Sequence, residues 1–406
     1  MASLPTGSLE SLRARNSRLV IDVLRASGAV SRAEIARQTG LSRSTVSSLV
    51  ADLQDTGLVH EREPDSSRRG PEGGRPGVLV ALDRSAGTLV GIDFGHDHVS
   101  VAISDLSYEI LAERTISLEV DDAAAESLDA AAALALDELR TADVDLSRVL
   151  GAGVGLPGPV DRNTGLVRSQ PILPSWVGLD PVVEMQERLG VLVHLDNDAN
   201  VGALGECTFG AGRGHRVVAY VRLSAGIGLG MVFDGVPFRG AHGIAGEIGH
   251  VLVDPNGPIC RCGNRGCLET LVAGPALAEL LRRSHGELTV AQLLALARDN
   301  DPGCRRVVQD AGRVVGRALA DLCNYLNPDA IVIGGELAQA GDLLMEPLTA
   351  AIEQFALPAA AEGVSILPGV LHDRAEVLGA LALAGSNSAE ALTVQVNTLS
   401  QNRRST

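Results

Sequence analysis

The sequence contains no lysine, so its 34 basic residues are all Arg. Usage that lopsided reflects a GC-rich genome more than a demand for phosphate contacts, and Arg content by itself identifies no polyanion partner. No stretch offers the roughly 18 uncharged apolar residues that a membrane span needs, and Met1 to Glu10 lacks the basic start and apolar run of a signal peptide. A cytoplasmic protein with no membrane partner is the expectation. Cysteine is scarce: six in 406 residues exclude a disulfide scaffold. Three of the six, Cys260, Cys262 and Cys267, crowd into one short loop, which points to metal rather than oxidation. Cys207, Cys304 and Cys323 read as free thiols.

Hydrophobic residues make up 45% of the chain, enough over this length for two or three domains with cores of their own. The formal charge of −16 argues against a nucleic-acid partner until its distribution is read. Residues 1–80 hold eleven Arg against nine acidic residues, whereas the remainder holds 23 Arg against 41. Only the N-terminal part can therefore approach a polyanion, and the acidic body repels one from every other face.

Composition divides the chain into a winged helix-turn-helix over 1–62, a wing and linker over 63–88, an α/β sensor domain over 89–385 and a loose polar tail over 386–406. Helical apolar spacing runs through Leu19, Val20, Val23 and Leu24, then Ile35, Leu49 and Leu53. The Gly- and Pro-rich stretch from Glu61 to Gly77, followed by the alternating run Val78 to Leu82, reads as a loop closing a β-hairpin. From Leu89, short apolar strands (LVGID, VLGAGVGLP, VLVHLD, VVAYVRLS, AIVIGG) alternate with Ala- and Leu-rich helical stretches. Two glycine-punctuated halves are compatible with a duplicated architecture.

Arg32 to Ala51 fits a helix-turn-helix. Ala36 is small where two helices cross, Gly40 sits at the tight turn, and Ile35, Leu41, Val46 and Leu49 point inward. Ser31 and Ser42 are placed to cap the two helices. The second, from Ser42 to Asp55, is the expected recognition helix. Arg43, Ser44, Thr45, Ser47 and Ser48 on its early exposed positions, with Arg32 and Ser42, suit phosphates and base edges in a major groove. Arg75 in the wing is the candidate for a minor groove. A helical dimerisation bundle is the bland alternative, and it leaves the turn glycine, the small crossing residue, the basic balance and the wing unexplained together.

Four phrases then follow in order: GAGVGLPGPVDRNTG from Gly151, LDNDANVGALGE from Leu195, GIAGEIGH ending at His250, and CRCGNRGCLET from Cys260. With the helix-turn-helix, they resemble the ROK family (repressors, open reading frames and kinases) from about Asn16 to Gly385. The resemblance implies an actin-like, hexokinase-like (ribonuclease H-like) fold of two lobes around a cleft that binds sugar. Asn197, Asp198, Glu247, His250 and Glu269 match the family's sugar-contacting positions. Carboxylates and amides of this kind read hydroxyls by paired hydrogen bonds.

Cys260, Cys262 and Cys267 with His250 form a Cys3His set of the type that closes a tetrahedral zinc site. No position is left for a catalytic water, so the expected Zn2+ is structural, tying the Cys loop to the GEIGH segment and steadying Glu247 and Glu269. His250 would serve zinc with one ring nitrogen and sugar with the other.

In the family's kinases, the residue matching Asp198 is the general base for phosphoryl transfer. Their phosphate-binding elements are damaged here. The expected D-x-G-G-T reads Asp93-Phe94-Gly95-His96-Asp97-His98, and the expected G-T-G-I-G-G-G reads Ser224-Ala225-Gly226-Ile227-Gly228-Leu229-Gly230. Gly334-Gly335-Glu336 keeps part of the adenosine-side motif. The reading is therefore a DNA-binding regulator, a repressor of carbohydrate genes, without catalytic residues. Its expected partners are an operator, a sugar or sugar-phosphate effector, and further copies of itself as a homodimer or homotetramer. An active sugar kinase and a regulator controlled by a protein partner are the alternatives.

Overall fold

The computed structural model describes residues 9–62, 78–161, 164–167 and 172–387. The N-terminal unit contains α1 (Leu9–Ser27), β1 (Val30–Ser31), α2 (Arg32–Thr39), α3 (Arg43–Asp55), β2 (Val59–Arg62) and β3 (Leu79–Leu82). Ser31 Oγ accepts the Glu34 amide at 3.2 Å and Ser42 Oγ the Thr45 amide at 3.1 Å, so both expected caps satisfy orphan donors of a first helical turn. Gly40 joins α2 to α3 at φ 70, a left-handed turn that a side chain would strain. Ile35, Val46 and Leu49 are buried as their spacing predicts, whereas Ala36 and Leu41 are only partly so. The three strands pair in the order β1-β3-β2, giving a winged helix-turn-helix.

The first lobe comprises β4 (Thr88–Phe94), β5 (His98–Asp105), β6 (Ile110–Ser117), α4 (Ala124–Thr141), β7 (Val149–Leu156), α5 (Pro181–Leu189) and β8 (Val193–Asn197). After α6 (Asp198–Phe209), the second lobe adds β9 (Val217–Leu223), β10 (Ile227–Phe233), β11 (Val236–Pro237), α7 (Leu268–Val272), α8 (Gly274–His285) and α9 (Val290–Arg298). It continues with α10 (Pro302–Leu326), β12 (Ala330–Gly334), α11 (Asp342–Phe355), α12 (Pro358–Ala361) and β13 (Ser365–Pro368). A last helix, α13, spans 375–387.

The five-stranded sheets are ordered β6-β5-β4-β7-β8 and β11-β10-β9-β12-β13. Each thus ranks its own strands third, second, first, fourth, fifth: an antiparallel meander followed by two strands parallel to the first. That repetition is the duplicated, actin-like architecture. Each lobe has its own apolar core, and the single Trp, Trp176, is fully buried in the first, donating from Nε1 to the Val120 carbonyl at 2.8 Å.

Two boundaries differ from the sequence reading. β4 begins at Thr88, one residue inside the range read as wing and linker, while β3 falls within that range as the run Val78 to Leu82 was read. Ser386 and Asn387 still belong to α13 and donate to carbonyls one turn back, which carries the helix past 385; the expected tail from 388 lies outside the described residues. Among the described residues, no helix is long and apolar enough to cross a membrane.

Candidate functional site

The β8–α6 junction sets the floor of a cleft between the lobes. Asn197 caps α6, accepting the Ala199 amide at 2.9 Å, and Asp198 is the first residue of that helix. Glu247 and His250 come from the segment after β11, Glu269 from α7, and all five sequence-predicted residues line a single cleft open to solvent. Asn197 Nδ2 donates to the Gly158 carbonyl at 3.3 Å, across the mouth. Burial, then the carboxylates of Asp198 and Glu269, holds the Glu247 carboxyl above its ordinary range.

Two guanidinium groups in the cavity were not singled out from the sequence. Arg222 on β9 lies 3.2 Å from Asp198 Oδ2 and 3.1 Å from Glu376 Oε1. Burial opposes its charge, but those two carboxylates outweigh it and keep the guanidinium protonated. Arg261, between two of the loop cysteines, donates from Nε to Glu269 Oε1 at 3.0 Å. The cavity therefore presents carboxylates, an amide and guanidinium donors in alternation, a lining suited to a polyhydroxylated molecule.

The phosphate side is filled. The His98 ring bridges Asp97 at 2.9 Å through Nδ1 and Asp93 at 3.3 Å through Nε2. Hydrogen bonding to Asp93 leads the effects that raise its pKa to about 9, so the ring is cationic at neutral pH. A Cβ at Gly95 would stand 2.1 Å from this ring, so the imidazole occupies the space beside the loop glycine. Burial, then Asp97, raises the Glu336 carboxyl, which places the adenosine-side motif within the field of the same acid.

Behind the cleft, the ligand atoms of His250, Cys260, Cys262 and Cys267 all lie within 4.8 Å of one another. Cys262 and Cys267 sulfurs are 3.7 Å apart, and Cys260 Sγ is 3.6 Å from His250 Nδ1. A tetrahedron with Zn–S bonds of about 2.3 Å has an S···S edge of about 3.8 Å, so the donor set and its spacing suit zinc. His250 Nε2 faces the other way, 3.8 Å from Glu247 Oε2. One ring thus touches both the cysteine cluster and the cleft. Gly266 lets the loop close, because at φ 62 a Cβ there would meet the Asp254 carbonyl oxygen at 1.5 Å.

On the candidate DNA face, Arg43 opens α3 beside Ser44 and Thr45, whose hydroxyls lie 2.9 and 2.8 Å from Ser42 Oγ. Ser47 is exposed on the same helix, and Ser48 accepts from Arg13 at 3.4 Å. Arg32 is engaged within the unit, 2.6 Å from Glu61 on β2. Arg75 lies outside the described residues.

The ROK family pattern matches residues 89–387, about three quarters of the chain. The chain belongs to the ROK family. A MarR family pattern also matches residues 15–70, over the winged unit. A xylose repressor of Bacillus spizizenii is 30% identical over 368 residues, covering 90% of this chain and 93% of that protein. A glucokinase of Thermotoga maritima is 32% identical over 310 residues, covering 73% of this chain and 96% of the enzyme. The crystal structure of a ROK family transcriptional regulator, a homologue of the Escherichia coli MLC protein, superposes with a TM-score of 0.79 at 26% identity, covering 95% of this chain and 98% of the other. The regulators thus align with both units of this ROK chain, the kinase with little beyond the two lobes.

Proposed function

We propose that this ROK protein is a cytoplasmic DNA-binding repressor of carbohydrate genes, whose operator affinity is set by a sugar or sugar phosphate bound between its lobes. The observation that carries this reading is a capped recognition helix and a polar two-lobed cleft in one chain, with the regulators as full-length relatives. Asn197, Asp198, Glu247, His250 and Glu269 bind the effector. Arg43, Ser44, Thr45, Ser47 and Ser48, with Ser42, Arg32 and Arg75, form the DNA-reading set. His250, Cys260, Cys262 and Cys267 hold zinc, which supplies a structural tie between the Cys loop and the Glu247 segment.

The protein acts as a symmetric homodimer or homotetramer, presenting two recognition helices to half-sites about 34 Å apart. In support, Leu252 and Tyr325 are exposed beside one groove with Arg317, whose guanidinium lies 4.9 Å over the exposed Phe355 ring. Sedimentation of the full chain tests the assembly, and a monomer at micromolar concentration contradicts it.

A second reading, ATP-dependent sugar phosphorylation, is favoured by Asp198 and the glucokinase relative. The His98 plug and Asp97, a carboxylate where the family's kinases carry a threonine, weigh against it, since a triphosphate would face an added negative charge. Fluorescence anisotropy on DNA from the protein's own upstream region, at fixed salt with a panel of neutral and phosphorylated sugars, tests the repressor reading. Selective binding that one sugar relieves is expected. Sugar-dependent ATP turnover with no selective DNA binding establishes the kinase instead.

A further inference from the structure

The winged unit shares a core with the sensor. Its buried Val20, Leu24 and Leu82 pack in one continuous cluster with Leu106 of the first lobe and with Leu381 and Ala384 of α13. Two helices connect that cluster to the cleft. α6 starts at Asp198 and ends at Phe209, roughly 17 Å away at 1.5 Å per residue. α13 starts with Ala375 and Glu376 and runs to the winged unit. The two cross in backbone contact: a Cβ at Gly205 would lie 2.3 Å from the Ala375 carbonyl oxygen, and one at Gly379 only 1.7 Å from that of Val201. Packing that tight leaves neither helix free to shift alone.

One side chain holds both helices at the cleft. Arg222 bonds Asp198 on α6 and Glu376 on α13, and Glu376 Oε1 also accepts from the Tyr220 hydroxyl at 3.1 Å. At the other end both helices reach Tyr108. The Phe209 ring meets the Tyr108 ring edge-on with centroids 5.0 Å apart, and a Cβ at Gly385 would stand 2.4 Å from the Tyr108 hydroxyl. Arg25 of α1 lies 4.4 Å over the same ring and donates from Nε to the Leu106 carbonyl at 2.9 Å. Tyr108 has φ 67, a left-handed conformation that a bulky residue keeps only where its surroundings impose it. From α1, Arg13 bonds Asp52 and Ser48 on the recognition helix.

We propose that Arg222, the crossed pair α6–α13 and the Arg25–Tyr108 contact form the link through which a ligand in the cleft resets the recognition helix. A ligand hydroxyl that engages Asp198 competes with Arg222 for that carboxylate, and Arg222 transmits the change to Glu376 and so to α13. The differential contact that any ligand-driven shift requires is supplied at Asp198. This link rests on the sugar-responsive repressor reading. Tyr108 is a positioning residue, and its substitution alters the response rather than either ligand's intrinsic binding; Arg222 also lines the cleft, so its variants are read by exchange of the unliganded chain.

Full-length Tyr108→Leu and Gly385→Ala proteins test the far end, since neither residue lines the cleft or the DNA face. Both are expected to bind sugar and upstream DNA within about threefold of the parent, while the effect of sugar on DNA affinity falls from the usual range of about 5- to 150-fold to within about twofold of none. Undiminished coupling in both variants overturns the link. Hydrogen exchange of the unliganded chain tests the near end without any sugar. Arg222→Met is expected to speed exchange of α1 amides 20–27 by about tenfold or more, and Glu376→Gln, which keeps the side-chain volume, serves if Arg222→Met does not fold. Altered exchange confined to α6, α13 and β9 overturns the link. A parent protein whose DNA binding ignores every sugar contradicts the repressor reading instead, and the exchange result still decides whether the two ends are joined.

Discussion

Replacing His98 with Gln removes the cation that holds Asp93 and Asp97 together in the plugged phosphate loop. The ring is largely buried, with 28% of its side chain exposed, and its pKa is raised from 6.5 to about 9, chiefly by Asp93. At 1.36 kcal/mol for each tenfold in proton affinity, that rise stabilises the fold by at most about 3 kcal/mol, less what solvent screening removes. The folded chain binds the proton more tightly than the unfolded one. The stabilisation is therefore complete below about pH 6.5 and is lost as the pH rises through about 9. Denaturant unfolding of the parent and His98→Gln between pH 6 and pH 10 reads it directly. The stability difference between them should shrink by about 2 to 3 kcal/mol over that range, and the His98 ring resonance should titrate near pH 9. A difference that stays constant with pH, or a titration near 6.5, refutes the ion-paired plug.

Arg43→Ala is expected to weaken operator binding and lower the salt slope by about 1 without changing the melting temperature, if the residue contacts a phosphate; anisotropy across a salt series checks it, and an unchanged slope removes Arg43 from the DNA-reading set. Cys262→Ser should reduce zinc content by elemental analysis and lower the melting temperature of the sensor domain, whereas full metal occupancy in that variant would dissociate Cys262 from the site. Glu247→Ala should abolish the sugar-induced rise in melting temperature while leaving DNA affinity within about threefold, because a ligand stabilises only through the native state it binds. A normal thermal response would displace the effector from this cleft.

The strands were legible because each is a short apolar run ended by glycine, proline or a polar residue: LVGID became β4, VLGAGVGLP β7, VLVHLD β8, VVAYVRLS β9 and AIVIGG β12. The caps Ser31 and Ser42 and the turn at Gly40 were legible for a local reason, since each acts within three residues of itself. Arg222 and Glu376 were not. Their ion pair spans 154 positions, and a lone charge in an apolar strand gives no sign of its partner. Arg261 was hidden within the metal motif, where attention falls on the cysteines around it. The shared core of winged unit and sensor was also invisible: the hairpin that pairs β3 with β2 could be read from the alternating run Val78 to Leu82, but the cluster gathers Val20 and Leu24 with Leu381 and Ala384, from opposite ends of the chain.

The most direct test of an effector cleft that controls DNA binding is calorimetric titration of the responsive sugar into the full chain, free and operator-bound. Coupling is reciprocal, so the sugar should bind the DNA complex more weakly by the same factor, about 5- to 150-fold, by which it weakens operator binding. Equal sugar affinities in the two states would contradict control of DNA binding from the cleft.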